Sequence, residues 1–145
     1  SEKDLPAEAS RLFAKLRTLE GADNTQLQAA YENIRTTLGA KIIHRQEFAT
    51  GSSQITFKNE SLIRNTVSSS EDQNAFFLVV GYASKSGSKL NRNLSAKRAT
   101  TVASVVNTLK ASGQNVKAVY LGETARFSTT ATTKNQICEV WEIKK

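Results

Sequence analysis

The chain of 145 residues contains few side chains that could carry out catalysis or hold a metal ion. Its only cysteine, Cys138, excludes an internal disulfide and a cysteine-rich zinc site, and its only histidine, His44, excludes a histidine cluster within one chain. No nucleophile with a nearby base and no pair of catalytic carboxylates stands out. The sequence therefore predicts a protein that is not an enzyme and has no cofactor or metal. We expect Cys138 to be a buried thiol in a strand and His44 to be structural or exposed.

The charge of the chain is positive, with 20 lysines and arginines against 13 aspartates and glutamates, a net +7. The densest basic stretch, residues 85–98, contains five basic residues and no acid. Such a stretch fits an anionic polymer as ligand, and it also fits a solvated surface that binds nothing. A nucleic-acid module would need aromatic side chains among the basic ones, and only Tyr82 is near. We therefore expect no nucleic-acid partner.

The first forty residues are predicted to form two helices. Leucines recur on one side of residues 5–19, and a second apolar stripe over residues 27–38 ends at Gly39. Two arrangements fit these short stripes: a helical hairpin packed on the domain, or a stalk for self-association that leads to an anchor upstream. The predicted organisation is an N-terminal helical segment at residues 1–40 and a second domain at residues 41–145.

After Gly39 the pattern changes to alternating strands and helices. Strands are predicted at residues 41–48, 75–80, 116–121 and 137–143, and helices at residues 59–69 and 95–109. The apolar run in the second strand predicts a central strand covered on both faces, and Ser95 is predicted to cap and open the longer helix. The order helix, helix, then β-α-β-α-β-β predicts an α/β (α+β) two-layer sandwich, with helices on one face of a mixed sheet.

One motif carries most of the functional information. Gly81-Tyr82 follows the central strand, a polar loop comes next, and the motif ends with Asn91, Leu94, Ser95, Arg98, Ala99 and Val102. This pattern resembles the OmpA-like carboxy-terminal domain, which binds peptidoglycan in outer-membrane proteins, peptidoglycan-associated lipoproteins and flagellar stators. Two flanking segments, residues 48–52 and 122–123, agree with the family's pattern, and residues 135–140 lie where the family has Asn-Arg-Arg-Val-Glu-Ile. The resemblance covers about residues 41–143 and implies the OmpA-like fold.

The resemblance also implies a site for the peptide stem of peptidoglycan. In the family, the arginine that corresponds to Arg98 holds the carboxylate of diaminopimelate, and the aspartate of a Thr-Asp pair holds its ammonium group. Arg98 would keep the first role. It is expected in the first turn of its helix, where free backbone amides attract anions, and a guanidinium binds a carboxylate through two hydrogen bonds. The implied peptidoglycan-binding residues are Tyr82, Ala83, Ser84, Asn91, Arg98 and Asn135.

Two pairs of residues depart from the family's pattern. Ala83-Ser84 stands where the family has Thr-Asp, so the ammonium group of the ligand loses its charged partner. Gln136-Ile137 stands where the family has two arginines in the final strand. Replacing a charge-assisted bond by a neutral one loses roughly 1 to 2 kcal/mol, about tenfold in affinity. Binding of peptidoglycan is therefore predicted to be weak or lost.

Two functional hypotheses follow from these residues. The first is a non-enzymatic periplasmic domain of a Gram-negative envelope protein, which anchors a membrane protein or assembly to the cell wall. The second is a degenerate OmpA-like domain that contacts protein partners in an envelope machine such as a secretion system. In both, the membrane is reached only through an anchor outside this chain, because no apolar run approaches the roughly 18 residues of a membrane span. On the first hypothesis, Arg98→Ala should abolish binding to sacculi and leave thermal stability nearly unchanged.

Overall fold

The structure is a computed structural model that describes residues 5–18, 24–69, 75–84, 91–108, 116–124, 128, 130 and 132–143. Its elements in chain order are α1 (Leu5–Arg17), α2 (Asn24–Leu38), β1 (Ala40–Glu47), α3 (Phe57–Ser68), β2 (Phe76–Ser84), α4 (Asn91–Asn107), β3 (Val116–Thr124), a 3-10 helix (Thr132–Asn135) and β4 (Ile137–Ile143). The order of the elements is the predicted one. The main differences in extent are that β2 and β3 run further than expected and that α4 begins earlier.

A four-stranded mixed sheet in the order β1-β4-β2-β3 forms the centre of the fold. Strand β4 is antiparallel to both β1 and β2, whereas β2 and β3 are parallel. The parallel pair requires a crossover connection, and α4 provides it. The predicted mixed sheet and the α/β fold class are therefore confirmed. Because β2 and β4 occupy the two central positions, the apolar run of β2 is buried on both sides, as its composition indicates.

Helices cover both faces of this sheet. Helices α3 and α4 pack on one face, over residues that include Phe77 and Val79. Helices α1 and α2 pack on the other face, where the rings of Phe13 and Tyr31 lie 5.7 and 5.2 Å from that of Trp141. Burial of each such aromatic ring contributes on the order of 2 kcal/mol. The N-terminal helices thus add a third layer to the predicted sandwich, while a domain boundary at residue 40 stays a prediction.

Helix α4 begins at Asn91, one turn before the predicted start at Ser95. The hydroxyl of Ser95 donates to the carbonyl oxygen of Arg92 at 2.7 Å, so Ser95 is a buried residue inside the helix and not its cap. The prediction was wrong because residues 91–94 contain no glycine or proline, and nothing in them prevents an earlier start. Arg98 consequently lies about two turns into the helix, away from the free amides of the first turn.

Gly81 allows α4 to pack closely against β2. A Cβ atom at this position would overlap the carbonyl oxygen of Ser95 and lie 3.0 Å from the backbone nitrogen of Ala99. The glycine is therefore required by the contact between sheet and helix, since any side chain would push the two elements apart. This contact fixes the position of α4, and with it the position of Arg98, relative to the end of β2.

Candidate functional site

Arg98 is fully buried and connects three parts of the fold. Its Nε donates to the carbonyl oxygen of Ser52 at 2.8 Å, its Nη1 to that of Tyr82 at 3.0 Å, and its Nη2 to that of Ala49 at 3.3 Å. The guanidinium carbon lies 5.3 Å from the ring centroid of Phe48. One side chain therefore joins the loop after β1, the carboxyl end of β2 and helix α4.

The hydrogen-bond acceptors of Arg98 are neutral. All three are backbone carbonyl groups, and the described residues supply no carboxylate within hydrogen-bond distance. Burial lowers the pKa of Arg98 because the low-dielectric surroundings disfavour its charged form. An arginine nevertheless stays protonated, so the site contains a buried positive charge without a described counter-ion. Such a charge is costly, and a bound anion would offset the cost.

The loop that supplies two of these acceptors is fixed near its start, where it leaves β1. It turns at Gly51, whose φ of 71° is in the left-handed region that favours glycine. The side chain of Gln136 donates to the hydroxyl of Thr50 at 3.1 Å, and the backbone N–H of Phe48 donates to the carbonyl oxygen of Gln136 at 2.8 Å. Gln136, where the family has an arginine, therefore fixes the loop to the start of β4.

Three of the predicted site residues lie at the carboxyl end of β2. Tyr82 and Ala83 are buried inside β2, whereas the sequence predicted that the strand ends at residue 80 and that Tyr82 follows it. Ser84 is the last residue of β2. In the register of the parallel pair, Ala83 lies beside Glu123 of β3. Tyr82 is the predicted site residue that the structure places in direct hydrogen-bond contact with Arg98.

The two predicted asparagines are also buried. Asn91 is the first residue of α4, two turns before Arg98. Asn135 ends the 3-10 helix, and its side chain donates to the carbonyl oxygen of Ser128 at 2.9 Å and accepts from the N–H of Ser128 at 3.3 Å. Asn135 therefore braces the segment between β3 and β4, which is a structural contact.

Sequence reasoning did not identify Ala49 and Ser52 as partners of Arg98. Ala49 and Ser52 act through their backbone carbonyl groups, which every residue carries, so their side chains give no signal. The available signal was the resemblance of residues 48–52 to the family's opening loop. That resemblance indicates a shared fold, but it does not show which side chain the loop contacts.

A second buried polar cluster lies on the opposite face of the sheet, and sequence reasoning missed it as well. The carboxylate of Glu139 accepts hydrogen bonds from the hydroxyls of Tyr31 and Tyr82 and from the indole N–H of Trp141, the last at 3.2 Å. Nε of the half-exposed Arg45 lies 2.9 Å from its second oxygen. These five residues form the Glu139 cluster. The only signal for it was an acid in β4, and that strand also contains Glu142, so the sequence did not single out Glu139.

Other features with potential chemistry lie elsewhere. A cleft of about 410 Å³ between β1 and α3 is lined in part by His44, Gln46 and Leu62, and it contains none of the six predicted site residues.

Cys138 is buried in β4, as expected, and burial raises its pKa well above the ordinary value. Within the described part of the chain, no group of three His, Cys, Asp or Glu side chains could hold a metal ion. None of the described helices has the length and apolar character needed to cross a membrane.

The comparison with protein families settles the relationship that the motif and the fold indicate. The model of the OmpA family matches residues 47–137, from the last residue of β1 to the first residue of β4. This chain belongs to the OmpA family. The resemblance is confirmed, and the OmpA region of the chain contains Gly81 and all six predicted site residues, including Arg98. OmpA-like domains are in general binding or structural modules rather than enzymes.

Solved structures of OmpA-like domains share the fold of this chain. The OmpA-like domain of FopA1 from Francisella tularensis subsp. tularensis SCHU S4 is 27% identical with a TM-score of 0.55, and the match covers 67% of this chain and 68% of that one. The periplasmic domain of Helicobacter pylori MotB is 15% identical with a TM-score of 0.59, covering 69% and 71%. The peptidoglycan-associated lipoprotein from Burkholderia pseudomallei is 17% identical with a TM-score of 0.58, covering 68% and 88%. The comparison with curated proteins gives no match.

Proposed function

We propose that this OmpA-family chain is a non-enzymatic periplasmic domain that associates with peptidoglycan through a carboxylate of the peptide stem. The observation that carries the proposal is the buried guanidinium of Arg98, a positive charge whose described acceptors are all neutral. A carboxylate is the anion whose geometry matches a guanidinium best. Membership of the OmpA family, and the fold shared with a peptidoglycan-associated lipoprotein, support the choice of peptidoglycan as the source of that carboxylate.

Arg98 has the donor capacity to bind a carboxylate in addition to most of its present hydrogen bonds. A guanidinium has five N–H donors, and three of them bond to carbonyl groups here, so a two-bonded carboxylate would use the remaining donors and would compete with the weakest present bond. The bond to Ala49 is the longest at 3.3 Å and is therefore the easiest to replace. Because the side chain of Arg98 is buried, the loop that contains Ala49 and Ser52 has to shift when the ligand enters. The cost of that movement is a physical reason for weak binding.

The remaining predicted residues have supporting roles in this proposal. Tyr82 orients the guanidinium through its carbonyl group, and Ala83 and Ser84 form the edge of the site at the carboxyl end of β2. Asn91 and Asn135 hold the neighbouring segments in position from the start of α4 and the end of the 3-10 helix.

Co-sedimentation with diaminopimelate-type sacculi, at low and at physiological salt, tests the proposed function. We expect the natural chain to sediment at both salt concentrations, and Arg98→Lys to sediment several-fold less, because lysine keeps the charge but lacks the two-pronged donor geometry. Lys97→Ala is the matched control, since Lys97 is exposed on the same helix. Thermal melts establish that each variant is folded. Sedimentation at low salt alone would indicate nonspecific attraction to the net charge and would contradict the proposal.

A second candidate is a protein-contact domain of an envelope assembly such as a secretion system, without binding to the wall. The observation that favours it is that Arg98, Ala83 and Gln136 are all buried, with at most 6% of each exposed. In this case the motif would serve only to hold the fold together. Absence of sedimentation at both salt concentrations, with a folded protein, would support this candidate. Analytical ultracentrifugation would then test whether the N-terminal helices also mediate self-association.

A further inference from the structure

The edge of the sheet at β1 and the helix α3 form a groove, the cleft of about 410 Å³ along residues 44–47 that Asn59, Leu62 and Lys134 also line. We infer that this β1 groove binds an extended, acidic segment of a partner protein, which adds to the sheet as a strand beside β1. The surface is distinct from the Arg98 site, because none of the six predicted site residues lines it. It would provide the contact surface that the second candidate function requires.

The β1 groove follows the edge of the strand rather than one face of the sheet. Four consecutive residues, 44–47, line it. Because the side chains of a strand alternate between its two faces, a cleft that all four residues line runs along the side of the strand. Strand β1 is the first in the order β1-β4-β2-β3, so it lies at the edge of the described sheet. The groove is therefore placed where a further strand would pair.

The backbone of β1 directs hydrogen-bonding groups into the groove. The N–H of Phe48 donates to the carbonyl oxygen of Gln136 at 2.8 Å, so this residue is directed towards the strand β4 that follows Gln136. In an antiparallel pair, residues directed towards the partner strand alternate with residues directed away from it. The register over residues 44–47 is regular. The N–H and carbonyl groups of residues 45 and 47 therefore point towards the groove.

The two halves of this edge differ in their protection against strand addition. A β-bulge between Ile42 and His44 interrupts the first half, and bulges of this kind commonly protect the edges of sheets. The second half is regular. There the side-chain amide of Gln46 donates to the carbonyl oxygen of Glu47 at 2.9 Å, and it takes the place that an N–H of an added strand would take. The second half can therefore accept a strand by exchanging this one bond.

The charges at the groove favour an acidic partner over a second copy of this chain. The charged residues that line it are Arg45, Glu47 and the exposed Lys134, and Lys41 is exposed in the first half of the same strand. Cations therefore outnumber acids at this edge. Two copies of a chain with a net charge of +7 repel each other, whereas an acidic segment is attracted.

Leu62 provides an apolar contact for the same segment. It is 47% exposed and lines the groove from α3. Because the side chains of an added strand alternate, every second one faces α3, and an alternation of apolar and acidic residues fits the groove. Phe57 is 84% exposed on the same helix but does not line the groove. Five residues separate it from Leu62, about 140° around the helix, so it is a matched control.

The test is an NMR titration of the full chain with two capped hexapeptides, one alternating glutamate with valine and one alternating lysine with valine. We expect the glutamate peptide to bind with a Kd below about 1 mM and the lysine peptide to bind at least about tenfold more weakly. The amide signals of residues 44–47 should shift. At saturation, hydrogen exchange of the N–H of Glu47 should slow several-fold, because that group then donates to the peptide.

Four variants establish where and how the peptide binds. Lys134→Glu should weaken the glutamate peptide several-fold and strengthen the lysine peptide, a reversal that a purely structural role would not produce. Leu62→Ser should weaken both peptides several-fold, whereas Phe57→Ser should leave both affinities unchanged. Arg98→Lys should also leave them unchanged, which separates this surface from the proposed peptidoglycan site.

Three results would overturn the assignment of the β1 groove. If the two peptides bind equally tightly, or if neither binds at millimolar concentration, the groove does not select an acidic segment. If the amide signals of residues 49–52 shift and those of residues 44–47 do not, the peptide binds elsewhere. If analytical ultracentrifugation shows a dimer of the free chain that Leu62→Ser abolishes, the occupant of the groove is a second copy. None of these results changes the outcome of sedimentation with sacculi.

Discussion

Tyr82 accepts a hydrogen bond from Arg98 through its backbone carbonyl oxygen, which lies 3.0 Å from Nη1. The hydroxyl of the same tyrosine donates to the carboxylate of Glu139 at 2.9 Å, on the face of the sheet that the N-terminal helices cover. The hydroxyl of Tyr31 in α2 bonds to that carboxylate too. One residue of the central strand β2 therefore contacts both the candidate site and the cluster that holds the N-terminal helices.

Arg98→Ala should lower the free energy of unfolding by about 3 kcal/mol or more, because it leaves three carbonyl oxygens without their donor and creates a cavity. The burial of Arg98 thus corrects the sequence-based expectation that its removal would leave the thermal melt unchanged. Chemical denaturation measures the effect. Lys97→Ala on the exposed side of the same helix should change stability by less than about 0.5 kcal/mol. Equal stability of the two variants would show that the described bonds of Arg98 do not form.

Gly81→Ala should destabilise the protein by roughly 3 kcal/mol or more, because the added methyl group overlaps the backbone of α4 at Ser95. Gly51→Ala is the informative comparison. Gly51 has a φ of 71° but open space around its Cβ position, so its substitution should cost only about 1 to 2 kcal/mol of backbone strain. Thermal melts of both variants rank the two effects. A larger loss at Gly51 than at Gly81 would contradict the close packing of α4 on β2.

Removal of single members of the Glu139 cluster should loosen the N-terminal helices. Tyr31→Phe should cost about 1 kcal/mol and Glu139→Gln about 2 kcal/mol or more, because a glutamine amide presents donors to groups that already donate. The double variant should lose less stability than the sum of the two single losses, since both changes remove the same bond.

Denaturation and proteolysis of the N-terminal helices measure the effects. Glu32→Gln, in a surface pair with Arg35, is the control and should cost less than about 1 kcal/mol. If the losses of stability in the two single variants add up to the loss in the double variant, Tyr31 does not belong to the cluster.

Cys138 should make the stability of the protein depend on pH in the alkaline range. Burial, and to a lesser extent the neighbouring Glu139, raises the pKa of its thiol well above the ordinary value of 9.0. As pH rises past that value, the unfolded chain loses the thiol proton first, so the stability from the neutral thiol is complete below about pH 9 and declines above it.

Denaturation of the natural chain and of Cys138→Ala at pH 7, 9 and 10 isolates this contribution, because the other alkaline groups cancel in the difference. Between pH 9 and 10 the natural chain should lose up to about 1.4 kcal/mol more than the variant. If the difference in the free energy of unfolding between the two proteins does not change with pH, the thiol is not buried in solution.

The order of elements could be predicted because it depends on local patterns. The apolar run of β2, the stripe of α4 and the spacing between Gly81 and Arg98 are features of neighbouring residues, so the sequence contains them directly. Ser95 shows the limit of this approach. A serine before an apolar stripe has the pattern of a helix cap, but the helix begins one turn earlier because nothing in residues 91–94 prevents it.

The amino-acid sequence alone indicates the OmpA family, the order of the strands and helices, and the segment that contains the candidate site. Two properties are decided only by the tertiary structure: that the guanidinium of Arg98 is buried against Ser52 and Ala49, and that the N-terminal helices cover the sheet through Tyr31 and Glu139. Both depend on contacts between residues that are 46 or more positions apart in the chain. Local periodicity predicts which face of an element is apolar, but it contains no information about which distant carbonyl or carboxylate that face will meet.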